Sequence, residues 1–241
     1  MLAPMRLSVV IPTLDEAALL PDTLPPALAI ADEVWVSDGG SRDDTVAIAE
    51  ALGARTVRGP AGRGAQLNRG VERTDGEVLL FLHADTRLPG DAGELVRRAV
   101  DGGAVGGGFR LSFDTSDPLL RLSCRCANLR TRLSGCPLGD QAQFVRRDTF
   151  AAMGGFRDWQ ALEDLDFIRR LRRMGRSTVL ASATVTSPRR YLRRGIVRNL
   201  ATNTLIFALY FAGVPPHRLA RLYPPENGRP WAVAPSPDGR A

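Results

Sequence analysis

Leu7-Ser8-Val9-Val10-Ile11 is a short run rich in β-branched residues that ends at Pro12-Thr13, and Val34-Trp35-Val36 is a second, ending at Ser37-Asp38-Gly39-Gly40. Both read as strands that run out into polar loops. Between them, residues 15–29 carry helical apolar spacing interrupted by Pro21 and Pro25-Pro26, and after the second strand residues 43–52 read as a helix capped near Ser41. Residues 54–57 predict a third strand, 65–72 a helix, and Val78-Leu79-Leu80-Phe81-Leu82 a fourth strand that is apolar at every position. Such a strand is covered on both faces, as in a parallel sheet. The alternation up to Leu88 therefore predicts an α/β fold, a Rossmann-like doubly wound and mostly parallel sheet, with ligands in the crevice beyond the carboxyl ends of the strands.

The remainder is less regular. A Gly-rich strand is expected over 102–113, a helix over 119–133, a strand over 143–146, a helix over 162–174 and a strand over 177–180. The 241 residues are 44% hydrophobic and 24% charged, enough for a sizeable core. The segment from Pro224 is rich in Pro, Gly and charge and reads as a flexible tail.

Composition closes several function classes. All 32 basic residues are arginine, so chemistry that needs a lysine amine is excluded: Schiff-base catalysis, a Ser-Lys hydrolase, a standard P-loop. With only His83 and His217, a three-His zinc centre is excluded too, and acid–base work falls to carboxylates. The net charge of +6 favours anionic partners. Dispersed basic residues and 6% aromatics speak against nucleic acid. Cys124, Cys126 and Cys136 are odd in number and share one stretch, which suits a reducing compartment. The apolar run at Leu7 to Ile11 is shorter than a secretory core, so the expected location is cytoplasmic.

Five stretches carry candidate chemistry. Asp38, between a buried strand and two glycines, can accept hydrogen bonds from a ligand or serve its own turn. His83 and Asp85 project to the same side if the fourth strand continues through them, and together can hold a divalent ion or form an ordinary strand-end turn. In Leu162-Glu163-Asp164-Leu165-Asp166-Phe167-Ile168, a helical wheel puts Asp164 on the apolar face between Ile168 and Leu171. Glu163, Asp166, Arg169, Arg170 and Arg173 share the polar face. A carboxylate on the apolar side is either a helix-start cap or a base held in a dry cleft. Gly62-Arg63-Gly64 can present a guanidinium to phosphate, and Arg189-Arg190 with Arg193-Arg194 form the densest basic cluster, suited to a diphosphate or to lipid headgroups.

In this order the pieces resemble the inverting glycosyltransferases of family two, with the GT-A fold, over about residues 6–185. Val10 to Glu16 is similar to that family's opening strand and loop, and Val36 to Thr45 to its nucleotide-binding loop. Leu80 to Thr86, Gly139-Asp140-Gln141 and Ser187 to Tyr191 are similar to hallmarks of a bacterial subgroup, often called transferase 2, found near radical-enzyme and selenium- or arsenic-related genes. The resemblance implies a single domain over 1–223, with a nucleotide-sugar half (about 6–112) and an acceptor half (about 113–223). Pro12, Thr13, Glu16 and Asp38 would border the nucleotide, Arg63 would lie near its base or phosphates, and Arg189 or Arg190 would face the diphosphate. Asp85 would bind Mg²⁺ or Mn²⁺, with His83, which stands where the family's D-x-D motif has its first acid, as a second ligand. Asp164 matches the catalytic base, and Gly139, Asp140, Gln141 and Glu163 would lie near the acceptor or the transferred sugar.

Two rival readings stay open on sequence alone: a nucleotidyltransferase acting on a sugar phosphate, and a non-catalytic nucleotide-sugar-binding or membrane-scaffold protein. The apolar stretch 200–214 is too short to span a bilayer. With Arg189 to Arg198 before it, it either rests on an anionic membrane, where a lipid acceptor could be received, or closes over the site as part of the globule, the reading preferred here.

Overall fold

The computed structural model of the chain describes residues 5–159 and 161–222. The expected tail from Pro224 lies outside the described residues. The chain opens with β1 (Leu7–Thr13), α1 (Leu20–Ile30), β2 (Glu33–Asp38), α2 (Thr45–Ala51), β3 (Arg55–Arg58), α3 (Arg63–Val71) and β4 (Val78–Phe81). It continues through β5 (Thr86–Arg87), α4 (Ala92–Asp101), β6 (Gly106–Phe113), α5 (Pro118–Ser134), β7 (Phe144–Arg146), α6 (Arg147–Ala152) and α7 (Glu163–Met174). It closes with β8 (Ser177–Thr186), α8 (Arg189–Arg194), α9 (Ile196–Phe211) and α10 (Pro216–Leu219).

One mixed sheet in the order β3-β2-β1-β4-β7-β6-β8-β5 holds all eight strands. The first four are parallel, as expected, β7 reverses against β4 and β6, β8 runs parallel to β6, and β5 returns antiparallel at the far edge. Strand alternation explains why Val9-Val10-Ile11 of β1 and every residue of β4 are apolar. Val9, Ile11, Val78 and Leu80 enter one core with residues of α1 and α4, and Val10, Leu79 and Phe81 enter a second core with residues of α3 and α7.

Several boundaries move. The first helix starts at Leu20 and runs through Pro25 and Pro26, where residues 15–29 were expected to be interrupted. Pro25 sits on the exposed side and proline's fixed φ is itself helical, although each proline removes an amide donor and crowds the carbonyl four residues before it. β8 extends ten residues, to Thr186, because its small and β-branched second half pairs with β6 on one side and β5 on the other. The glycines of β6 are a packing requirement: a Cβ on Gly107 would lie 1.9 Å from the Thr178 carbonyl oxygen. α5 is delimited by Asp117, whose carboxylate accepts from the Leu119 and Leu120 amides, and by Gly135 in the left-handed region.

Candidate active site

A cavity of about 360 Å³ opens beyond the carboxyl ends of the parallel strands. Thr13 brings the end of β1 to it, His83 and Asp85 the segment after β4, Arg63 the start of α3, Asp164 the first turn of α7, and Arg189 and Arg190 the start of α8. Pro12, Glu16 and Asp140 complete the predicted residues in its wall. His217, on α10, does not line it.

Asp164 is held from two sides. Its Oδ2 accepts the Gly139 amide at 2.7 Å, its Oδ1 accepts the Leu165 amide at 2.8 Å, and its carbonyl oxygen accepts Gln143 Nε2 at 3.0 Å. Leu162, with φ of +65°, turns the chain into α7 so that this carboxylate faces the cavity. Gly139 has no room for a side chain: a Cβ would stand 2.5 Å from His83 Nε2 and 3.1 Å from Asp164 Oδ2. Backbone of the turn at 139–141 is thereby wedged between the imidazole and the carboxylate.

The fourth strand ends at Phe81, and His83 and Asp85 sit in the connection to β5, so the strand continuation on which their shared direction was conditional does not occur. Both side chains nevertheless reach the cavity. Ser187 donates its amide to the Asp85 carbonyl at 2.9 Å, and Thr86 packs hydroxyl to hydroxyl with Thr186 at 3.0 Å, which fastens this connection to β8. Burial, with the Arg63 and Arg190 guanidinium charges adding to it, pushes the His83 imidazole down to about 3, so it is neutral at physiological pH. Burial raises the Asp140 carboxyl to about 6; Arg130 opposes the rise, and the Asp164 and Asp85 charges add to it. Three carboxylates thus share one enclosure. Opposite them, Arg189 Nη2 meets both oxygens of Glu16, at 3.0 and 2.8 Å, tying the loop after β1 to α8.

Four predicted residues stand behind the cavity wall. Asp38 is buried and spends its carboxylate on its own turn, accepting the Gly40 amide at 3.0 Å, the Ser41 amide at 3.1 Å and the Ser41 hydroxyl. Gln141 is fully buried, donating to the Phe109 carbonyl at 2.8 Å and accepting the Thr131 hydroxyl at 2.9 Å. Gly139 contributes its amide. Glu163 is fully buried, with Oε1 3.0 Å from Arg63 Nη1 and Oε2 without a partner among the described residues.

The helical wheel is corrected here. Glu163 and Asp166 are buried, not solvated, because the first turn of α7 is enclosed all round. Arg63 compensates the first, and Arg170 at 2.7 Å and Arg157 at 3.5 Å the second. Gln66, absent from the sequence-derived set, lines the cavity and ties β1 to β2 by donating to the Thr13 and Ser37 carbonyls, each at 2.8 Å. Its place in the Gly62 to Gly70 segment was visible, its inward direction was not. Tyr191, Asn203 and Phe207 of α8 and α9 also line the cavity, so the apolar helix near the carboxyl end does pack over the site.

The Arg63–Glu163 pair yields a stability prediction. Arg63→Met leaves a buried carboxylate without its counter-charge, at an expected cost of about 2–4 kcal/mol near pH 8. Burial raises the Glu163 carboxyl in the native state, Arg63 lowers it, and Asp164 raises it further. Without Arg63 the native protein binds that proton more tightly than the unfolded chain, so the deficit should shrink as pH falls toward the ordinary carboxylate range. Urea unfolding at pH 8 and pH 5.5 measures this. A deficit that does not change with pH would mean the buried charge is not its source.

Comparison with known proteins agrees with this architecture. Over 100 residues the chain is 37% identical to the glucosyl-3-phosphoglycerate synthase of Mycobacterium tuberculosis, covering 36% of this chain and 31% of that protein. The matched segment therefore spans about a third of the curated relative. Among solved structures, the fold matches S. aureus TarS 1–349 with a TM-score of 0.61 at 19% identity, covering 82% of this chain and 64% of that one. It matches the mannosyltransferase PcManGT from Pyrobaculum calidifontis, solved with GDP-Man and Mn²⁺, with a TM-score of 0.62 at 19% identity, covering 92% and 69%. Residues 8–157, well over half of the chain, match the family described as Glycosyl transferase family 2, and the chain belongs to that family.

Proposed function

We propose that the protein moves a sugar from a nucleoside-diphosphate sugar to a nucleophile of an acceptor, a hydroxyl in the simplest case, with inversion at the anomeric carbon. The observation that carries this is the doubly anchored Asp164 carboxylate, facing the same cavity as Arg63, Asp85 and the arginines of α8. Its two amide bonds fix the carboxylate plane and leave the remaining lone pairs for an acceptor proton. As that proton passes to Asp164, the acceptor oxygen attacks the anomeric carbon and the bond to the diphosphate breaks on the opposite face. Arg63, Arg189 and Arg190 lie where guanidinium groups can meet the phosphates and the charge that develops on them.

The donor set of the site fits a hard divalent cation. No group of three or more His, Cys, Asp or Glu side chains stands ready to hold a metal among the described residues. Mg²⁺ and Mn²⁺, however, commonly take one or two protein carboxylates together with water and phosphate oxygens. Burial is the main reason the Asp140 carboxyl is raised, and the Asp164 and Asp85 charges that add to the rise are ones a cation would offset. Asp85, with the neutral His83, would hold the ion, which when bound supplies charge neutralisation to the leaving diphosphate. The PcManGT complex with GDP-Man and Mn²⁺ supports both the donor class and the ion. The finer subgroup reading is supported by His83, Asp85, Asp140, Ser187 and Tyr191 lining one cavity. The family match does not favour a nucleotidyltransferase or a non-catalytic protein.

Thermal unfolding with UDP, GDP, ADP, CDP or dTDP, each with Mn²⁺, Mg²⁺ or EDTA, tests the reading. At about 100 times Kd a ligand stabilises by about 2.7 kcal/mol, roughly 5–10 °C for a fold of this size. One diphosphate should give this shift, with the metal and not with EDTA. No shift with any of them would overturn the proposal.

A further inference from the structure

α5 and α9 each turn one side into the fold and leave a second side uncovered. On α5, Leu120, Cys124 and Thr131 are buried, while Leu119, Leu122, Cys126, Leu129 and Leu133 recur at alternating three- and four-residue steps and are exposed, Leu133 to 79%. On α9, Asn199 and Ile206 are buried, while the outward row Val197, Ala201, Leu205, Ala208 and Phe211 is apolar at every position, with Val197 70% and Phe211 65% exposed. The two helices adjoin: the Arg130 guanidinium lies 5.2 Å over the Phe207 ring, and Tyr191 and Ile196 join Leu120 and Cys124 in one apolar cluster. A lone exposed leucine is ordinary, but an exposed apolar row on each of two adjoining helices marks a surface that something covers.

Charge identifies the occupant. No acidic residue occurs from Pro118 to Gly139 or from Phe167 to Pro225. Arg121, Arg125 and Arg132 flank the leucine row, and Arg193 and Arg198 stand at the start of the α9 row, all exposed. A second copy of α5 laid on the first would bring these arginines together with no acid to meet them. A groove of about 300 Å³ lined by Arg121, Arg125, Ser112 and Thr115 lies beside the leucines, two guanidinium groups and two hydroxyls suited to a phosphate headgroup. At 1.5 Å per residue the 16 residues of α9 reach about 24 Å, and no helix of the described residues is long and apolar enough to cross a membrane. A surface of this kind lies on a bilayer and does not span it.

We propose that α5, α8 and α9 form a docking face for an anionic membrane surface, with the leucines and Phe211 entering the boundary between headgroups and acyl chains and the arginines meeting headgroup phosphates. Arg193 and Phe207 also belong to the cavity wall, so docking would bring the cavity to the bilayer. The inference does not depend on the transfer reading, since binding is measured without any donor.

The test is co-sedimentation of the full chain with vesicles of phosphatidylcholine alone or with roughly a third phosphatidylglycerol, at low salt and at about 0.5 M salt. Partitioning should be at least ~10-fold stronger on the anionic vesicles and should weaken with salt. Leu129→Ser combined with Leu133→Ser, and Arg121→Gln combined with Arg125→Gln, should each reduce it by roughly 10-fold, while Arg98→Gln on α4 leaves it unchanged. The four sites are on the surface, and thermal unfolding checks that each variant is folded. Equal binding to both vesicle types, or variants that bind like the unaltered protein, would overturn the proposal. So would a stable dimer in sedimentation equilibrium that the leucine variant dissociates, because a second copy would then cover the face.

Discussion

Asp164→Asn should lower turnover by about 10²–10⁴-fold, the usual range for a general base and equivalent to about 3–5 kcal/mol of barrier. The reason is local. The carboxylate is oriented by the Gly139 and Leu165 amides, one on each oxygen. An asparagine keeps the volume and one acceptor but cannot take a proton from the acceptor hydroxyl, and its NH₂ must face one of those two amides. That mismatch costs about 1–3 kcal/mol of stability, to be read separately by unfolding. Nucleotide binding should survive, because Arg63, Asp85 and Arg189 reach the cavity from other elements. Single-turnover kinetics with a donor, alongside the diphosphate thermal shift, separates the two effects. Turnover within a few-fold of the unaltered enzyme would remove Asp164 from the role of base, and parallel loss of diphosphate binding would make it a structural residue.

The parts of this fold that the residues declare are those whose burial is one-dimensional. β1 and β4 carry apolar runs because both sheet faces are covered there, and a run of that kind needs no knowledge of its neighbours. α4 carries a periodic row as well, Ala92, Val96 and Val100, yet residues 92–101 drew no helix expectation from the sequence. β8 is different: residues 181–186 are small or β-branched with no large apolar side chain, and it is their pairing with β6 and β5 that makes them strand.

The site divides in the same way. Residues at the ends of the legible strands, Thr13, His83 and Asp85, could be assigned to the crevice because strand ends define it. Direction could not be read where a turn intervenes. Asp38 ends β2, yet its carboxylate closes the following turn, because the free amides at 40 and 41 are nearer than any ligand. Glu163 and Asp166 fall on the polar arc of α7, yet they are buried, since a wheel shows Arg170 beside Asp166 but not Arg63 from α3 or Arg157 from the segment before α7. Asp164 was conspicuous for the opposite reason: it stands among apolar positions of its own helix, and that is visible without a structure.

Gly139→Ala should be the most damaging single-methyl change at the site. The added carbon would lie 2.5 Å from His83 Nε2, inside the closest approach that real side chains make, and 3.1 Å from Asp164 Oδ2, tighter than most such contacts. The turn cannot retreat far. Behind it, Gln141 is fixed by bonds to Phe109 and Thr131, and the Asp140 carbonyl accepts the Thr184 hydroxyl at 2.9 Å. The imidazole must therefore rotate away from the cavity, or the Gly139 amide must leave Asp164 and free its Oδ2 to swing. Either displaces a group by about an ångström, and misplacement on that scale costs roughly 100-fold in rate. Overpacking adds about 1–3 kcal/mol of instability, a fall of several degrees in Tm. Gly53→Ala is the matched control: that glycine, between α2 and β3, has φ of +95° and open space around it, so its cost is backbone strain without any contact to His83 or Asp164. Turnover and Tm measured on both variants distinguish the cases. If Gly139→Ala loses stability but keeps turnover, the wedge between His83 and Asp164 is packing alone; if it loses turnover well beyond the control, the turn at 139–141 sets the geometry in which Asp164 receives the acceptor proton.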